Sequence, residues 1–108
     1  MKATELRIGN IIYNTVADRN TAIIADQYSI QYAHLYKPIP LTEQWLKDFG
    51  FEKKFIDNDE GRYYDYELNE FHIHGLSNNH FIFLMRKINY VHQLQNLYFA
   101  LTEKELAK

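Results

Sequence analysis

Residues 38–51, which read PIPLTEQWLKDFGF, divide the chain into two parts and decide the fold. The two prolines at its start fix φ and lack backbone donors, so the chain should run extended as far as Thr42, a favoured N-cap residue. Apolar side chains then recur at helical spacing, and Gly50 is typical of the position just after a helix. We therefore predict a short connector helix from about Glu43 to Phe49.

The part before this connector has the pattern of a small antiparallel sheet. Short runs rich in β-branched and aromatic residues alternate with turn residues, which predicts strands over 6–13, 21–25 and 29–36. Side chains repeat every two residues along a strand. The last of these strands should therefore place Tyr32 and Tyr36 on one face, with Tyr28 in the turn before it.

The part after the connector predicts a second antiparallel sheet and a final helix. We expect one long strand over 62–74, in which a bulge or bend near Asn69 and Glu70 corrects an odd apolar spacing. Residues 81–85 are apolar on both faces, which is typical of a central strand covered on both sides. Apolar residues at helical spacing predict a helix over about 90–101, packed on this sheet. Its polar side should carry Gln93, Gln95 and Asn96.

The expected fold class is α+β, in a single compact domain over 1–108. Its parts are an N-terminal sheet (1–37), the Pro-rich connector and helix (38–52), the second sheet (53–88) and the C-terminal helix (89–108). With 108 residues, 46% hydrophobic and 16% aromatic, the chain has room for one ordinary core. The chain has no cysteine, and it shows neither a signal-peptide run nor an apolar stretch of membrane-spanning length. We expect a cytoplasmic location and no membrane contact.

An acidic tract covers residues 57–70. Its six carboxylates face only one basic residue, Arg62, so it carries a net charge of −5 in a chain whose total is −2. One interpretation is a solvated hairpin. The other is a negative surface that docks into a basic groove of a nucleic-acid-processing protein. The candidate partner-binding residues are its six acids (Asp57, Asp59, Glu60, Asp65, Glu67, Glu70) and four tyrosines (Tyr63, Tyr28, Tyr32, Tyr36).

Three histidines make up the most metal-like group. His72 and His74 share a strand face, and a five-residue turn would place His80 opposite His74, as in a three-imidazole zinc site. A change of one residue in the turn moves His80 to the other face, and no carboxylate stands at the spacing expected to complete the set. Residues 57–61 begin like a calcium loop, but Leu68 stands where the bidentate Glu belongs. We expect no metal and no cofactor.

The chain also lacks the usual catalytic patterns. It has no cysteine nucleophile, no G-x-S-x-G elbow, no P-loop and no G-x-G-x-x-G. The expectation is therefore a protein that is not an enzyme. An alternative is a sequence-tolerant RNA- or DNA-binding module that stacks bases on its tyrosines. The net charge of +3 outside the acidic tract offers few phosphate contacts, so such binding should be weak.

Three segments carry a resemblance to a known family. They are ELRIGN at 5–10, the connector at 38–51, and YVHQLQNLYFALT at 90–102. Together they resemble a family of short, mostly uncharacterised proteins of Bacteroidetes genomes and their phages. The resemblance implies a phage or mobile-element origin and supplies no catalytic residues.

The function that these expectations favour is inhibition of a host defence complex. Small acidic phage proteins include anti-CRISPR proteins, which are similar in size and general character. By this analogy the expected partner is a host nucleic-acid-processing protein or ribonucleoprotein, with a CRISPR effector or its guide-loaded form as the leading candidate.

Overall fold

The computed structural model describes residues 1–14, 21–76 and 79–106, and it divides the chain into two compact units. The first unit comprises Met1–Pro40 and Tyr90–Leu106, and the second comprises Leu41–Asn89. A three-stranded antiparallel sheet, a five-stranded antiparallel sheet and a C-terminal helix confirm the α+β class. The single domain over 1–108 stays a prediction. No helix in the described ranges is both long and apolar enough to cross a membrane.

The first sheet has strand order β2-β1-β3, with β1 at Ile11–Asn14, β2 at Thr21–Ile24 and β3 at Tyr36–Lys37. Strand β1 begins later than predicted because the chain turns before it. The backbone N–H of Asn10 donates to the carbonyl of Arg7 at 3.0 Å. Gly9 in this turn has φ +97°, a conformation that glycine adopts without steric cost.

The strand predicted over 29–36 is wrong. Helix α1 spans Gln27–Gln31, and a 3₁₀ turn follows at Ala33–Leu35. The cause is a capping box: the Asp26 side chain accepts from the Ser29 N–H at 2.9 Å, and the Asp26 N–H donates to the Ser29 hydroxyl at 3.3 Å. These bonds satisfy donors at the helix start and outweigh the β propensity of the flanking residues.

The C-terminal helix, α3, spans Val91–Thr102 as predicted, but its packing partner differs. It belongs to the first unit with the three-stranded sheet, whereas we expected it on the second sheet. Gln95, which the helical pattern placed on the polar side, is buried. Its side-chain oxygen accepts from the Ile11 N–H at 2.7 Å, and its amide nitrogen donates to the Gly9 carbonyl at 3.2 Å. These bonds tie α3 to the start of β1.

The connector helix, α2, spans Glu43–Asp48 and confirms the prediction within one residue. Thr42 is its N-cap, and Gly50 follows the C-cap with φ +98°. The Gly50 N–H donates to the Lys47 carbonyl and the Phe51 N–H donates to the Leu46 carbonyl, both at 3.0 Å. This pair of bonds is the Schellman motif, so the sequence pattern correctly locates the end of the helix.

The second sheet is an antiparallel meander in which every strand pairs with its neighbours in sequence. Its strands are β4 (Glu52–Asn58), β5 (Gly61–Leu68), β6 (Phe71–Leu76), β7 (His80–Phe83) and β8 (Arg86–Ile88). The residues buried in this unit include Leu46, Phe51, Tyr66, Ile73 and Phe81.

The single strand predicted over 62–74 is in fact two strands. Asn69 (φ +48°) and Glu70 (φ +69°) form a two-residue turn, so Leu68 pairs with Phe71 across a hairpin. Two consecutive left-handed residues are the requirement of a type I′ hairpin turn. The odd spacing from Leu68 to Phe71 marks this turn and not a bulge.

The strand predicted over 81–85 ends early. Leu84 (φ +48°) and Met85 (φ +67°) form a second turn of the same kind, and both side chains are largely exposed. The strand order makes β6 the central strand instead of β7.

Replacing Glu70 with glycine should stabilise the second unit. A non-glycine residue in the left-handed region costs roughly 1–2 kcal/mol, and the added chain entropy of glycine in the unfolded state offsets part of the gain. We expect Glu70→Gly to raise the free energy of unfolding by about 0.5 kcal/mol in urea titrations.

The matched control is Glu60→Gly, which removes a carboxylate from the β4–β5 turn, where Glu60 is not among the positive-φ residues. This control should lower stability by a similar amount. Equal effects of the two substitutions would contradict the turn geometry at Asn69 and Glu70.

Candidate functional site

The candidate site lies on one face of the five-stranded sheet. One face carries the buried residues of β6 (Phe71, Ile73 and Gly75) and Tyr66 of β5, whereas the residues on the other face of these two strands are half-buried or exposed. We call the face that carries these half-buried and exposed residues the outer face. On β5 and β6 it consists of Tyr63, Asp65, Glu67, His72, His74 and Leu76.

Two carboxylates and an imidazole meet at the centre of the outer face. Asp65 and Glu67 stand two residues apart on β5, and His72 lies opposite Glu67 on β6. Nδ1 of His72 is 2.9 Å from one Asp65 oxygen and 3.2 Å from the other, and its Nε2 is 4.0 Å from Glu67 Oε1. Only 13% of the Asp65 side chain is exposed, compared with 48% for His72. The Asp65 carboxylate is therefore held in place while the imidazole remains accessible.

The neighbours of this cluster are mixed in character. Lys54 on β4 lies opposite Asp65, and its Nζ is 3.8 Å from Glu67 Oε2. The rings of Tyr63 and His74 pack at 4.6 Å between centroids. On the part of the outer face formed by β4 and β5, Glu52, Asp65 and Glu67 stand against Lys54, which gives a net charge of −2.

The acidic tract does not form one patch. Asp57, Asp59 and Glu60 lie at the β4–β5 turn, and Glu67 and Glu70 lie at the other end of β5. An eight-residue strand separates its ends by roughly 23 Å. Asp57 also shares the sheet face of buried Tyr66 and pairs with Arg62 at 3.5 Å. Of the six predicted acids, the structure therefore brings together Asp65 and Glu67.

The predicted tyrosine platform is also divided. Tyr28 is exposed on α1 and packs against half-buried Tyr32 at 4.6 Å between ring centroids. Tyr36 is buried in an apolar cluster with Leu6 and Ile12. These three tyrosines share no strand face, because their segment is mainly helical. Tyr63 is the one predicted tyrosine on the outer face.

The third histidine of the predicted set, His80, lies on the expected face but not opposite His74. Ile82, not His80, lies opposite His74, and His80 pairs with Leu76. Three residues separate the paired Leu76 and His80, whereas the prediction assumed a turn of five; residues 77 and 78 lie outside the described part of the chain. Within that part, the group with metal-ligand spacing is instead Asp65, Glu67 and His72. The sequence pattern names Asp65 and Glu67 as candidates but does not place them beside His72, because it gives no signal for the turn that folds β6 onto β5.

A charged group on the opposite face of the sheet is structural. Glu43 at the start of α2 forms an ion pair with Lys53 on β4, and the Lys53 Nζ lies 4.1 Å from the Tyr64 ring centroid. The hydrogen bond between Glu43 and Lys53 lowers the pKa of Glu43 and raises the pKa of Lys53. Burial raises the pKa of Tyr66. These contacts attach α2 to the sheet.

The first unit contains a polar network with a structural role. Asn10, fully buried, donates to Asn96 Oδ1 at 2.8 Å and accepts from the Arg7 N–H at 2.7 Å. The Arg7 guanidinium pairs with Glu105 and lies over the Phe99 ring at 4.2 Å. The periodic pattern of α3 treats Asn96 as a surface residue, so sequence reasoning could not find this network.

Comparisons with known proteins give no relative. No family model, no curated protein and no solved structure matches the chain. The resemblance to the phage and mobile-element family therefore stays a prediction.

The buried His92 should make the first unit sensitive to acid. His92 on α3 is 2% exposed, and its Nδ1 has no hydrogen-bond partner. Burial lowers the pKa of this imidazole, against a smaller opposing effect from the Glu5 carboxylate; the charged N-terminus adds slightly to the lowering. Because the unfolded chain then binds more protons, stability should be complete above about pH 6.5 and fall as the pH drops towards the folded-state pKa.

The measurement is the free energy of unfolding of the wild type, of His92→Phe and of His34→Gln between pH 4.5 and 7.5. His92→Phe should lose the decrease in the free energy of unfolding that His92 causes below about pH 6.5. His34→Gln removes an exposed imidazole and should retain it. If all three proteins show the same slope, His92 is not the group responsible.

Proposed function

We propose that this protein is a non-enzymatic binding protein that inhibits a host nucleic-acid-processing complex by docking its outer face on a basic surface of that complex. A CRISPR effector, or its guide-loaded form, is the leading target. The observation that carries the proposal is the arrangement of Asp65 and Glu67 at the centre of an open sheet face, beside Tyr63 and two imidazoles.

The charge of the part of the outer face formed by β4 and β5 suits a surface that normally holds a polyanion. Lys and Arg side chains that bind RNA or DNA phosphates also attract protein carboxylates, which accelerates encounter and selects orientation. Hydrogen bonding to His72 and low exposure keep the Asp65 carboxylate in one position before binding. A preorganised group loses less side-chain entropy on association.

Tyr63 provides an aromatic anchor beside the carboxylates. It is half-buried, and its ring is held against His74. Tyrosine is enriched among the residues that dominate binding energy at protein interfaces. The pairing of an aromatic ring with fixed carboxylates therefore supports a protein partner with an apolar contact beside its basic groups.

The alternative, a sequence-tolerant RNA- or DNA-binding module, has less support. It relies on a shared platform of Tyr28, Tyr32 and Tyr36, of which Tyr36 is buried and the other two pack on each other. Arg7, a candidate for phosphate contact in that unit, is engaged with Glu105 and Asn96.

The test compares two isosteric double variants that change the net charge equally. Asp65→Asn with Glu67→Gln neutralises the outer-face carboxylates. Asp59→Asn with Glu60→Gln neutralises two exposed carboxylates at the β4–β5 turn. Association with purified CRISPR effectors, with and without guide RNA, is measured by surface plasmon resonance at low and physiological salt, together with phage plating on hosts with an active system.

We expect the outer-face variant to slow association by about tenfold at low salt and to weaken inhibition, because the attraction acts mainly on encounter. The β4–β5 variant should behave as the wild type, and melting temperatures should show that both fold. Equal behaviour of the two variants would overturn the docking face. Failure to bind any effector, together with unchanged phage plating, would overturn the proposed target.

A further inference from the structure

The cluster at the centre of the outer face has the composition of a metal site. It offers two carboxylates and one imidazole, and one ligand atom from each of Asp65, Glu67 and His72 lies within 4.8 Å of the others. We propose that these three residues bind a divalent transition-metal cation, of which Zn²⁺ is the simplest probe.

The strand geometry supports three ligands to one ion. Side chains two residues apart on a strand point to the same face, and a residue directly across an antiparallel pair has its Cβ about 5 Å away. Asp65 and Glu67 provide the first relation, and His72, opposite Glu67, provides the second. The site is built on two paired strands, and the main chain at these three residues is fixed by the sheet.

A modest side-chain movement completes the coordination geometry. Ligand atoms around a tetrahedral zinc ion lie roughly 3.4 Å apart, since zinc bonds to nitrogen and oxygen are about 2.1 Å long. Different nitrogens of the His72 ring face the two carboxylates: Nδ1 is 2.9 Å from Asp65, and Nε2 is 4.0 Å from Glu67. The ring must therefore turn before one nitrogen can share an ion with both carboxylates. The side chains of Glu67 and His72 are 32% and 48% exposed, so they are able to rotate inwards. Water would fill the remaining positions.

The donor set selects the class of cation. Ca²⁺ and Mg²⁺ prefer ligand sets made of oxygen alone, whereas an imidazole nitrogen suits Zn²⁺ and neighbouring transition metals. One nitrogen and two carboxylate oxygens therefore favour transition metals over Ca²⁺ and Mg²⁺.

The Asp65 and Glu67 carboxylates attract positive charge even without a metal ion. His72 lies between two carboxylates, and Lys54 approaches Glu67 at 3.8 Å. The Lys54 ammonium is therefore a competitor of a metal ion. Lys54 is 60% exposed and free to swing into solvent.

This inference goes beyond the proposed function and does not depend on it, because metal binding is measured on the protein alone. The two proposals fail separately, because titration of Zn²⁺ into the isolated protein reports on the metal site, whereas association with an effector reports on the docking face.

The experiment is isothermal titration calorimetry of Zn²⁺ into protein purified without a histidine tag, at pH 7.5, with Ca²⁺ as a second titrant. The variants are His72→Gln and Asp65→Asn. The controls are His80→Gln, which removes a different imidazole from the same face, and Asp59→Asn with Glu60→Gln, which removes two carboxylates far from any predicted ligand.

We expect the wild type to bind one Zn²⁺ per chain and no Ca²⁺. His72→Gln and Asp65→Asn should each lose at least tenfold in affinity for Zn²⁺, and both controls should bind Zn²⁺ with wild-type affinity. Binding of Co²⁺ should give a visible absorption band that His72→Gln abolishes. Stoichiometric Zn²⁺ binding that His72→Gln leaves unchanged would place the ion elsewhere and overturn the proposal. Absence of Zn²⁺ binding up to 1 mM, with wild-type protein shown to be folded by circular dichroism, would overturn it as well.

Discussion

The two-residue turn at Asn69 and Glu70 determines which side chains meet on the second sheet. Because side chains alternate along a strand, a change of one residue in this turn would exchange the buried and exposed faces of β6. With the observed turn, Ile73 lies opposite Tyr66 on the buried face and His72 lies opposite Glu67 on the outer face. The core and the candidate site therefore depend on the same register. Gly75 reinforces it, since a Cβ at this position would lie 2.4 Å from the Tyr66 ring.

The two units use polar residues in different ways. In the first unit, Asn10 and Gln95 are buried and hydrogen-bonded, so they hold α3 against the start of β1. A buried polar group without partners is costly, and these bonds remove that cost. On the outer face of the second unit, the carboxylates and imidazoles remain partly accessible and are paired mainly with one another. The buried, hydrogen-bonded groups of the first unit stabilise its fold, whereas the partly accessible groups of the outer face remain available to a ligand or partner.

The sequence predicts well those features that local chemistry determines. The cap and stop signals around Thr42 and Gly50 locate α2, and the apolar spacing after Tyr90 locates α3. Prediction from the sequence fails where two local signals compete, because Asp26 and Ser29 favour a helix start in a segment of high β propensity. It also fails where an unusual residue occupies a left-handed position, since Glu70 and Met85 do not indicate a turn as Asn-Gly does. The meeting of His72 with Asp65 and Glu67 follows only once that turn is known.

The most direct test of this account is the register of the β5–β6 hairpin, measured by nuclear Overhauser effects on isotopically labelled protein. We expect main-chain contacts between Glu67 and His72 and between Asp65 and His74, with Asn69 and Glu70 outside the pairing. A continuous extended strand from 62 to 74 without these cross-strand contacts would contradict it. So would a pairing shifted by one residue, because His72 would then leave the face that carries Asp65 and Glu67.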